Sequence, residues 1–181
     1  RGGAYSNVLL RQKDSDVGLD ERRFIQGLVM HALRTVGLAD SVVTSLSKRP
    51  LARLDPVVGD VLRIAIAELD RGGTPAPIVV SEAVEAAKAA GSGRAAGFVN
   101  GVLRSAVRAG LPQLTARDRL GVPQWISDQM DDAWGQAEAD RFWEASSTPA
   151  RVGLRGSPPP GVELTPIPGI PGTFLSDRPV P

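Results

Sequence analysis

Apolar residues recur every three to four positions through the first two thirds of the chain, and this periodicity constrains the fold more than any other feature. In the segment "LDPVVGDVLRIAIAELDRGG", Asp55 can cap a helix, Pro56 suits its first position, and Gly72-Gly73 ends it. The apolar stripe of this helix consists of Val58, Val61, Leu62, Ala65, Ile66 and Leu69. Because such a stripe must be buried against other helices, the pattern predicts an all-α fold.

The same periodicity predicts helices on both sides of this segment. In "DERRFIQGLVMHALRTVG", Asp20 is the expected N-cap and Gly37 the expected stop, and a shorter helical segment follows, which Pro50 closes. "IVVSEAVEAAKAAG" continues the pattern as far as Gly91, and "GRAAGFVNGVLRSAV" comes next. The single histidine, His31, falls opposite the apolar stripe of its helix, so we expect it to be solvent-exposed.

The character of the chain changes after Pro112. "VPQWISDQMDDAW" and "QAEADRFWEA" predict two more helices with acidic outer faces, and all three tryptophans lie in them, which indicates a second packing unit. From Pro149 onward 9 of the 33 residues are proline, so extended segments and turns are expected instead of helix. We therefore divide the chain into residues 1–111, 112–148 and 149–181.

Composition excludes several classes of site. The absence of cysteine rules out disulfides, thiolate metal sites and cysteine nucleophiles in this chain. Residues 1–111 hold 15 basic and 11 acidic side chains, whereas residues 112–181 hold 6 and 9, so the first part slightly favours an anionic partner. Without an apolar run of about 20 residues or a signal-peptide pattern, we expect a cytoplasmic protein that does not bind membranes.

The segment "GSGRAA" has the spelling of a dinucleotide-binding fingerprint. That motif binds pyrophosphate only where a strand leads into the glycines and a helix follows them. Here an alanine-rich helical segment, "SEAVEAAKAA", precedes it. We therefore expect a junction between two helices and no nucleotide site.

The helix predicted from "GRAAGFVNGVLRSAV" has two contrasting faces. On one face lie apolar residues, and the other face carries Gly93, Gly97, Asn100, Gly101, Arg104 and Arg108. Each glycine weakens the helix by roughly 1 kcal/mol relative to alanine, which suggests that something approaches this face closely.

Two kinds of neighbour would explain these glycines. One is an RNA backbone, with the arginines on phosphates and Asn100 on a base edge or a 2′-OH. The other is an adjacent helix lying against Gly97 and Gly101, with Asn100 capping a loop inside the fold; for Asn100 this structural role is the preferred interpretation.

Several segments resemble the NusB-like fold. "SEAVEAAKAAGSGRAAGFVNGVLRSAV" closely resembles its closing helices, and "RPLARLDPVVGDVLRIAIAEL" resembles the helix pair before them. "AYSNVLL" and "FIQGLVMHALR" are similar to its first helices, so the resemblance covers residues 4–108. It implies a NusB-like helical bundle, followed here by a short two-helix extension and a Pro/Gly-rich C-terminal segment.

Two kinds of protein carry this fold: transcription antitermination factors, which bind a short RNA element together with a ribosomal protein, and the N-terminal domains of the 16S rRNA cytosine-5 methyltransferase (Sun/Fmu) family. "VPQWISDQMDDAWGQAEADRFWEASSTPARVGLR" is similar to the segment that leads into the methyltransferase domain of the second family. The chain departs from that family at Gly27, where an acidic residue or glutamine is usual, and at Gly156-Ser157, where "RVN" is expected.

The resemblance implies an RNA-binding domain that positions ribosomal RNA for a catalytic domain absent from this chain. The family's catalytic module uses S-adenosylmethionine and a cysteine nucleophile, so we assign no catalytic, cofactor-binding or metal-binding residue here and leave open whether this chain acts as an enzyme. Beyond ribosomal RNA, the candidate partners are its own downstream methyltransferase domain or a ribosomal protein; the second would suit a NusB-type antitermination factor. The RNA-binding candidates are Lys88, Arg94, Asn100, Arg104 and Arg108, with Arg1 and Arg11 suggested by position alone.

Overall fold

The computed structural model describes residues 18–48, 50, 53–148, 151–157 and 163–176. Within these residues the chain forms eight α-helices and one small β-sheet. The helices are α1 Leu19–Arg34, α2 Val36–Ser47, α3 Pro56–Arg71, α4 Ala76–Ala89, α5 Ala96–Ala109, α6 Ala116–Leu120, α7 Gln124–Trp134 and α8 Gln136–Ser147. The strands are β1 Val152–Arg155, β2 Thr165–Pro166 and β3 Thr173–Ser176. The prediction of an all-α bundle with a different C-terminal segment is confirmed.

Helix α3 begins and ends as its sequence predicts. The Asp55 carboxylate accepts a hydrogen bond of 2.8 Å from the backbone N–H of Val57, and Pro56 occupies the first turn, where its missing N–H needs no partner. Gly72 ends the helix with φ +72°, a conformation that favours glycine.

The main core is formed by α2, α3, α4 and α5. Leu38, Leu62, Ile66 and Leu103 are completely buried at its centre, and valines and alanines from the same four helices surround them. Burying each large aliphatic side chain contributes about 1.5–3 kcal/mol, so this cluster is the principal source of stability. It holds the α4–α5 pair in place along one side of the bundle.

Two predicted boundaries of the first helix are wrong. Gly18, and not Asp20, occupies the N-cap of α1, and Asp20 lies in the first turn. The helix ends at Arg34, whereas Gly37 lies inside the first turn of α2. A Cβ atom on Gly37 would come within 2.6 Å of the Gly121 amide nitrogen, so this glycine permits close packing of two backbones instead of ending a helix.

The expected solvent exposure of His31 is also wrong. Its side chain is 29% exposed, and Nε2 lies 2.8 Å from a carboxylate oxygen of Asp70 on α3. Asp70 also accepts a hydrogen bond of 2.7 Å from Arg119 of α6. The helix carrying His31 packs against α3, so the face opposite its apolar stripe is partly covered.

The extension after residue 111 contains one helix more than predicted. Thr115 caps the five-residue α6 by accepting a hydrogen bond from the Asp118 N–H, and α7 and α8 follow. Arg117 of α6 donates two hydrogen bonds of 2.8 Å to Asp131 and one of 2.9 Å to Asp140, which ties the three helices together. Along the described part of the chain, Ala106 is the last residue whose side chain is buried in the main core.

The domain boundary predicted near residue 111 stays a prediction.

The C-terminal segment contains a three-stranded antiparallel sheet, whereas its sequence pattern predicts only extended segments and turns. Its strand order is β1-β3-β2, with Val152 opposite Ser176 and Thr165 opposite Leu175. Pro166 lies on an edge strand, where a missing N–H is tolerated. The turns expected from "IPGIPG" are present at residues 168–169 and 171–172, whereas residues 158–161 of "SPPPG" lie outside the described residues.

Over the described ranges, no helix combines the length and the apolar composition that crossing a bilayer requires.

Candidate nucleic-acid interface

Helices α4 and α5 form an antiparallel pair joined by a tight turn. After α4 ends at Ala89, Gly91 adopts φ +81° and the residues Gly93–Ala95 form a single 3₁₀ turn that leads into α5. The "GSGRAA" segment is this turn, and a helix precedes it. The expected junction between helices is confirmed, and the strand that a dinucleotide fingerprint requires is absent from this position.

Helix α5 has the two faces that its sequence predicts. Val99, Val102, Leu103 and Ala106 are buried in the core. On the opposite face the side chains of Arg104 and Arg108 and the glycines at 97 and 101 are exposed, while Asn100 is half-buried. The only charged residues of α5 are these two arginines, because the helix contains no acidic residue and no lysine.

The exposed glycines of α5 face open space. Apart from the adjacent residues and backbone of α5 itself, no atom of the described residues lies within 4 Å of a Cβ placed on Gly97 or Gly101. The alternative in which a neighbouring helix lies against them is therefore wrong for this part of the chain. No other described helix or strand packs closely against these two glycines.

An open groove of about 590 Å³ runs between α4 and α5, and we call it the α4–α5 groove. One wall, from α4, consists of Ala76, Pro77, Val80, Ser81 and Val84. The other wall, from α5, consists of Ala96, Gly97, Asn100, Arg104, Val107 and Arg108. Apolar side chains thus form most of the surface, and an amide and two guanidinium groups lie along one side.

The polar side chains of the groove make few contacts with the protein itself. Neither the Asn100 amide nor the Arg104 guanidinium has a hydrogen-bond or ion-pair partner within residues 18–48, 53–148 and the C-terminal sheet. The Arg108 guanidinium makes a long hydrogen bond of 3.4 Å to Ser105 Oγ. The structural role preferred for Asn100, capping a loop inside the fold, is therefore wrong as far as the described residues show.

The other predicted RNA-binding residues lie elsewhere or outside the described residues. Lys88 is paired with Glu85 at 2.7 Å on the exposed face of α4. Arg94 lies in a separate depression that also contains Asp55 and Gly91. Arg1 and Arg11 fall outside the described residues. The structure thus brings together three of the seven candidates: Asn100, Arg104 and Arg108.

The opposite wall of the groove was not recognised from the sequence. Pro77, Ser81 and Val84 have the i, i+4, i+7 spacing that places side chains on one helix face. That spacing could have identified the stripe, but not its partner, because the pairing of α4 with α5 is a property of the tertiary structure.

Within the described ranges no group of three or more histidine, aspartate or glutamate side chains is arranged to bind a metal ion. The whole chain lacks cysteine. The α4–α5 groove, where two arginines lie beside an unpaired amide, is therefore the principal candidate for a functional site.

The chain is similar to known proteins of two kinds, methyltransferases and an antitermination protein. It is 36% identical over 120 residues to ribosomal RNA small subunit methyltransferase B of Xanthomonas campestris pv. campestris, covering 66% of this chain and 27% of that protein. It is 30% identical over 163 residues to the probable ribosomal RNA small subunit methyltransferase B of Bacillus subtilis, covering 84% and 36%. It is 39% identical over 111 residues to the transcription antitermination protein NusB of Dictyoglomus thermophilum, covering 55% and 77%.

A solved structure shows the same fold. The crystal structure of PH0851 superposes with a TM-score of 0.61 at 14% identity, covering 94% of this chain and 43% of that chain.

The share of each relative that is matched differs between the groups. The chain spans only 27% and 36% of the two methyltransferase relatives, but 77% of the antitermination protein. The family model for NusB matches residues 2–108, which is more than half of the 181 residues. The chain therefore belongs to the NusB family.

Proposed function

We propose that this chain is the RNA-binding N-terminal domain of a 16S rRNA (cytosine-5) methyltransferase, and that it positions ribosomal RNA for a catalytic domain outside this chain. The observation that carries the proposal is the α4–α5 groove, where Arg104 and Arg108 are exposed beside the unpaired amide of Asn100. No acidic side chain of α5 opposes them. Guanidinium groups of this kind bind phosphates and supply affinity that does not depend on sequence.

The extent of the similarity favours a methyltransferase over an antitermination factor. The match to the Bacillus subtilis relative covers 84% of this chain, and the match to the Dictyoglomus thermophilum NusB protein covers 55%. The match to the Bacillus subtilis protein is so long that it must include residues that follow the α1–α5 bundle. Helices α6–α8 pack on that bundle through the Gly37–Gly121 contact and the bond from Arg119 to Asp70.

The cofactor of such an enzyme would bind outside this chain. In the methyltransferase family that the chain resembles, S-adenosylmethionine is held by a doubly wound α/β domain, and the described residues contain no strand followed by a glycine-rich turn and a helix. They do not fit that cofactor. The proposal therefore assigns to this chain the binding and orientation of RNA and no chemical step.

Filter binding to a labelled 16S rRNA fragment tests the proposal. Replacing both cations (Arg104→Ala with Arg108→Ala) should weaken binding by about 100-fold or more, because each of the two lost bonds to a charged phosphate contributes about 1.5–3 kcal/mol and about 1.4 kcal/mol corresponds to tenfold in affinity. The matched control replaces Arg23 and Arg141, which are 68% and 71% exposed and are paired with acidic neighbours three residues away. If the two double variants bound the RNA with equal affinity, the groove would not be the RNA-binding site.

A second candidate function is that of a NusB-type antitermination factor, which the 39% identity to the Dictyoglomus thermophilum protein favours. Such a factor should retain a stoichiometric small ribosomal protein when it is purified from cell lysate. Its absence, together with binding to the catalytic domain added in trans, would favour the methyltransferase.

A further inference from the structure

We infer that the α4–α5 groove accommodates a single unstacked base of an RNA strand and that Asn100 discriminates among bases. The inference rests on the proposed RNA-binding function and adds the kind of RNA feature that is bound and the residue that reads it. It follows from the chemistry of the walls, the unpaired amide and the open position beside it.

The walls of the groove suit the face of a base better than a phosphate. Val80, Val84 and Val107 form an apolar lining, together with Pro77. A phosphate gains nothing from apolar neighbours, whereas a base removes its faces from water when it lies between them. A base inside a duplex is already stacked on both faces, so the groove fits a base from an unpaired region.

Asn100 offers the hydrogen-bonding groups that a base edge requires. Its amide carries two donors and one acceptor, and it has no partner among the described side chains or backbone groups. An amide is the side-chain group that pairs with two neighbouring groups on an adenine edge, so it can distinguish bases by their pattern of donors and acceptors. Because Asn100 is half-buried, a base that contacts it also leaves water.

Gly97 keeps space open beside Asn100. It lies one turn earlier on α5 and lines the groove, and apart from the adjacent residues and backbone of α5 itself no atom of the described residues lies within 4 Å of its Cβ position. A glycine at this position lowers the stability of the helix, but it leaves space for a base next to the Asn100 amide. Gly101 has the same helical conformation and the same open space but does not line the groove.

The two arginines have a different role from Asn100. Arg104 lies one helical turn after Asn100 and Arg108 one turn later, so the cations extend along the groove at intervals of about 6 Å. Contacts to phosphates position a strand, and contacts to base edges specify its sequence. The arginines should therefore set the overall affinity and Asn100 the preference among bases.

Fluorescence anisotropy with the full chain tests this assignment. The probes are labelled oligoadenylate, oligocytidylate and oligouridylate of equal length and the oligoadenylate–oligouridylate duplex. Wild-type protein should bind its preferred single strand about tenfold more tightly than the least preferred one, and more tightly than the duplex. The Asn100→Ala variant should reduce that spread to about twofold without changing the salt dependence, whereas Arg104→Ala should weaken binding to all three strands equally.

A second pair of variants tests the groove independently of Asn100. Gly97→Leu should fill the groove and weaken the affinity for each of the three single-stranded probes about tenfold. Gly101→Leu should change those affinities by no more than about twofold, because Gly101 does not line the groove. Circular dichroism should show that both variants are folded. A duplex that binds as tightly as the single strands, or an unchanged spread in Asn100→Ala, would overturn the inference while RNA binding itself remains. Failure of wild-type protein to bind any of the four probes would overturn the proposed function as well.

Discussion

Gly37 on α2 and Gly121, the residue that ends α6, lie backbone against backbone. A Cβ atom at Gly37 would be 2.6 Å from the Gly121 amide nitrogen and 2.8 Å from its Cα. Gly121 itself has φ +67°, where other residues are strained. This contact joins the extension to the bundle without large side chains, so it tolerates no increase in size at either position.

Gly37→Ala should lower the free energy of unfolding by about 1–3 kcal/mol, because the added methyl group forces α6 away from α2. Urea denaturation followed by circular dichroism measures this change. Unchanged stability would mean that α6 can shift without loss, and the contact would then not be a determinant of packing.

Gly101→Ala should raise the free energy of unfolding by about 0.5–1 kcal/mol, because alanine is the better helix former and its methyl group would meet only open space. The same denaturation experiment provides the measurement, and the variant is the matched control for Gly37→Ala. A loss of stability would show that an element beyond the described residues covers this face.

Asp70→Ala should destabilise the protein by about 1–3 kcal/mol, because it removes the acceptor shared by His31 and Arg119. The side chain of Asp70 is only 14% exposed, so water cannot fully replace the lost bonds. Thermal unfolding measures the loss. The exposed Asp20→Ala, whose carboxylate makes only a surface ion pair with Arg23, is the control and should change stability very little.

The stability of the extension should fall in acid. Hydrogen bonds from Arg117 lower the pKa of the Asp131 carboxyl from its usual value of 3.8, because they stabilise the charged form. The contribution of this group is therefore fully present above pH 3.8 and is lost as the pH falls through the lower pKa of the folded state. Asp131→Asn should be less stable than wild type at neutral pH, and the difference should shrink as the pH falls below that value, as measured by Tm across the acid range. A constant difference would contradict this assignment.

The salt dependence of RNA binding should report the two groove arginines directly. Each phosphate contact contributes about 0.7 to the slope of log affinity against log salt for a single strand, so the Arg104→Ala, Arg108→Ala protein should lose about 1.4. Titrations at several salt concentrations supply the slopes. An unchanged slope would place these cations away from the phosphates even if affinity had fallen.

Local signals in the sequence predicted the features that neighbouring residues decide. Asp55, Pro56 and Gly72 mark the ends of α3, and the two faces of α5 follow from its periodicity, because capping and amphipathicity depend on residues within a few positions of one another. Two positions depart from what the local pattern predicts: Gly37 lies inside a helix instead of ending one, and His31 is partly buried instead of exposed. Both departures arise from contacts with residues distant in sequence, namely Gly121 and Asp70.

The sequence by itself determined the helical class of the protein, the NusB resemblance and the cationic, glycine-containing face of α5. Only the tertiary structure decided that this face is uncovered among the described residues, that Val80 and Val84 of α4 complete a groove beside Asn100, and that Lys88 and Arg94 lie apart from it. The physical reason is that periodicity specifies which side of a helix is apolar, whereas the neighbour of that helix depends on how all the buried surfaces pack together.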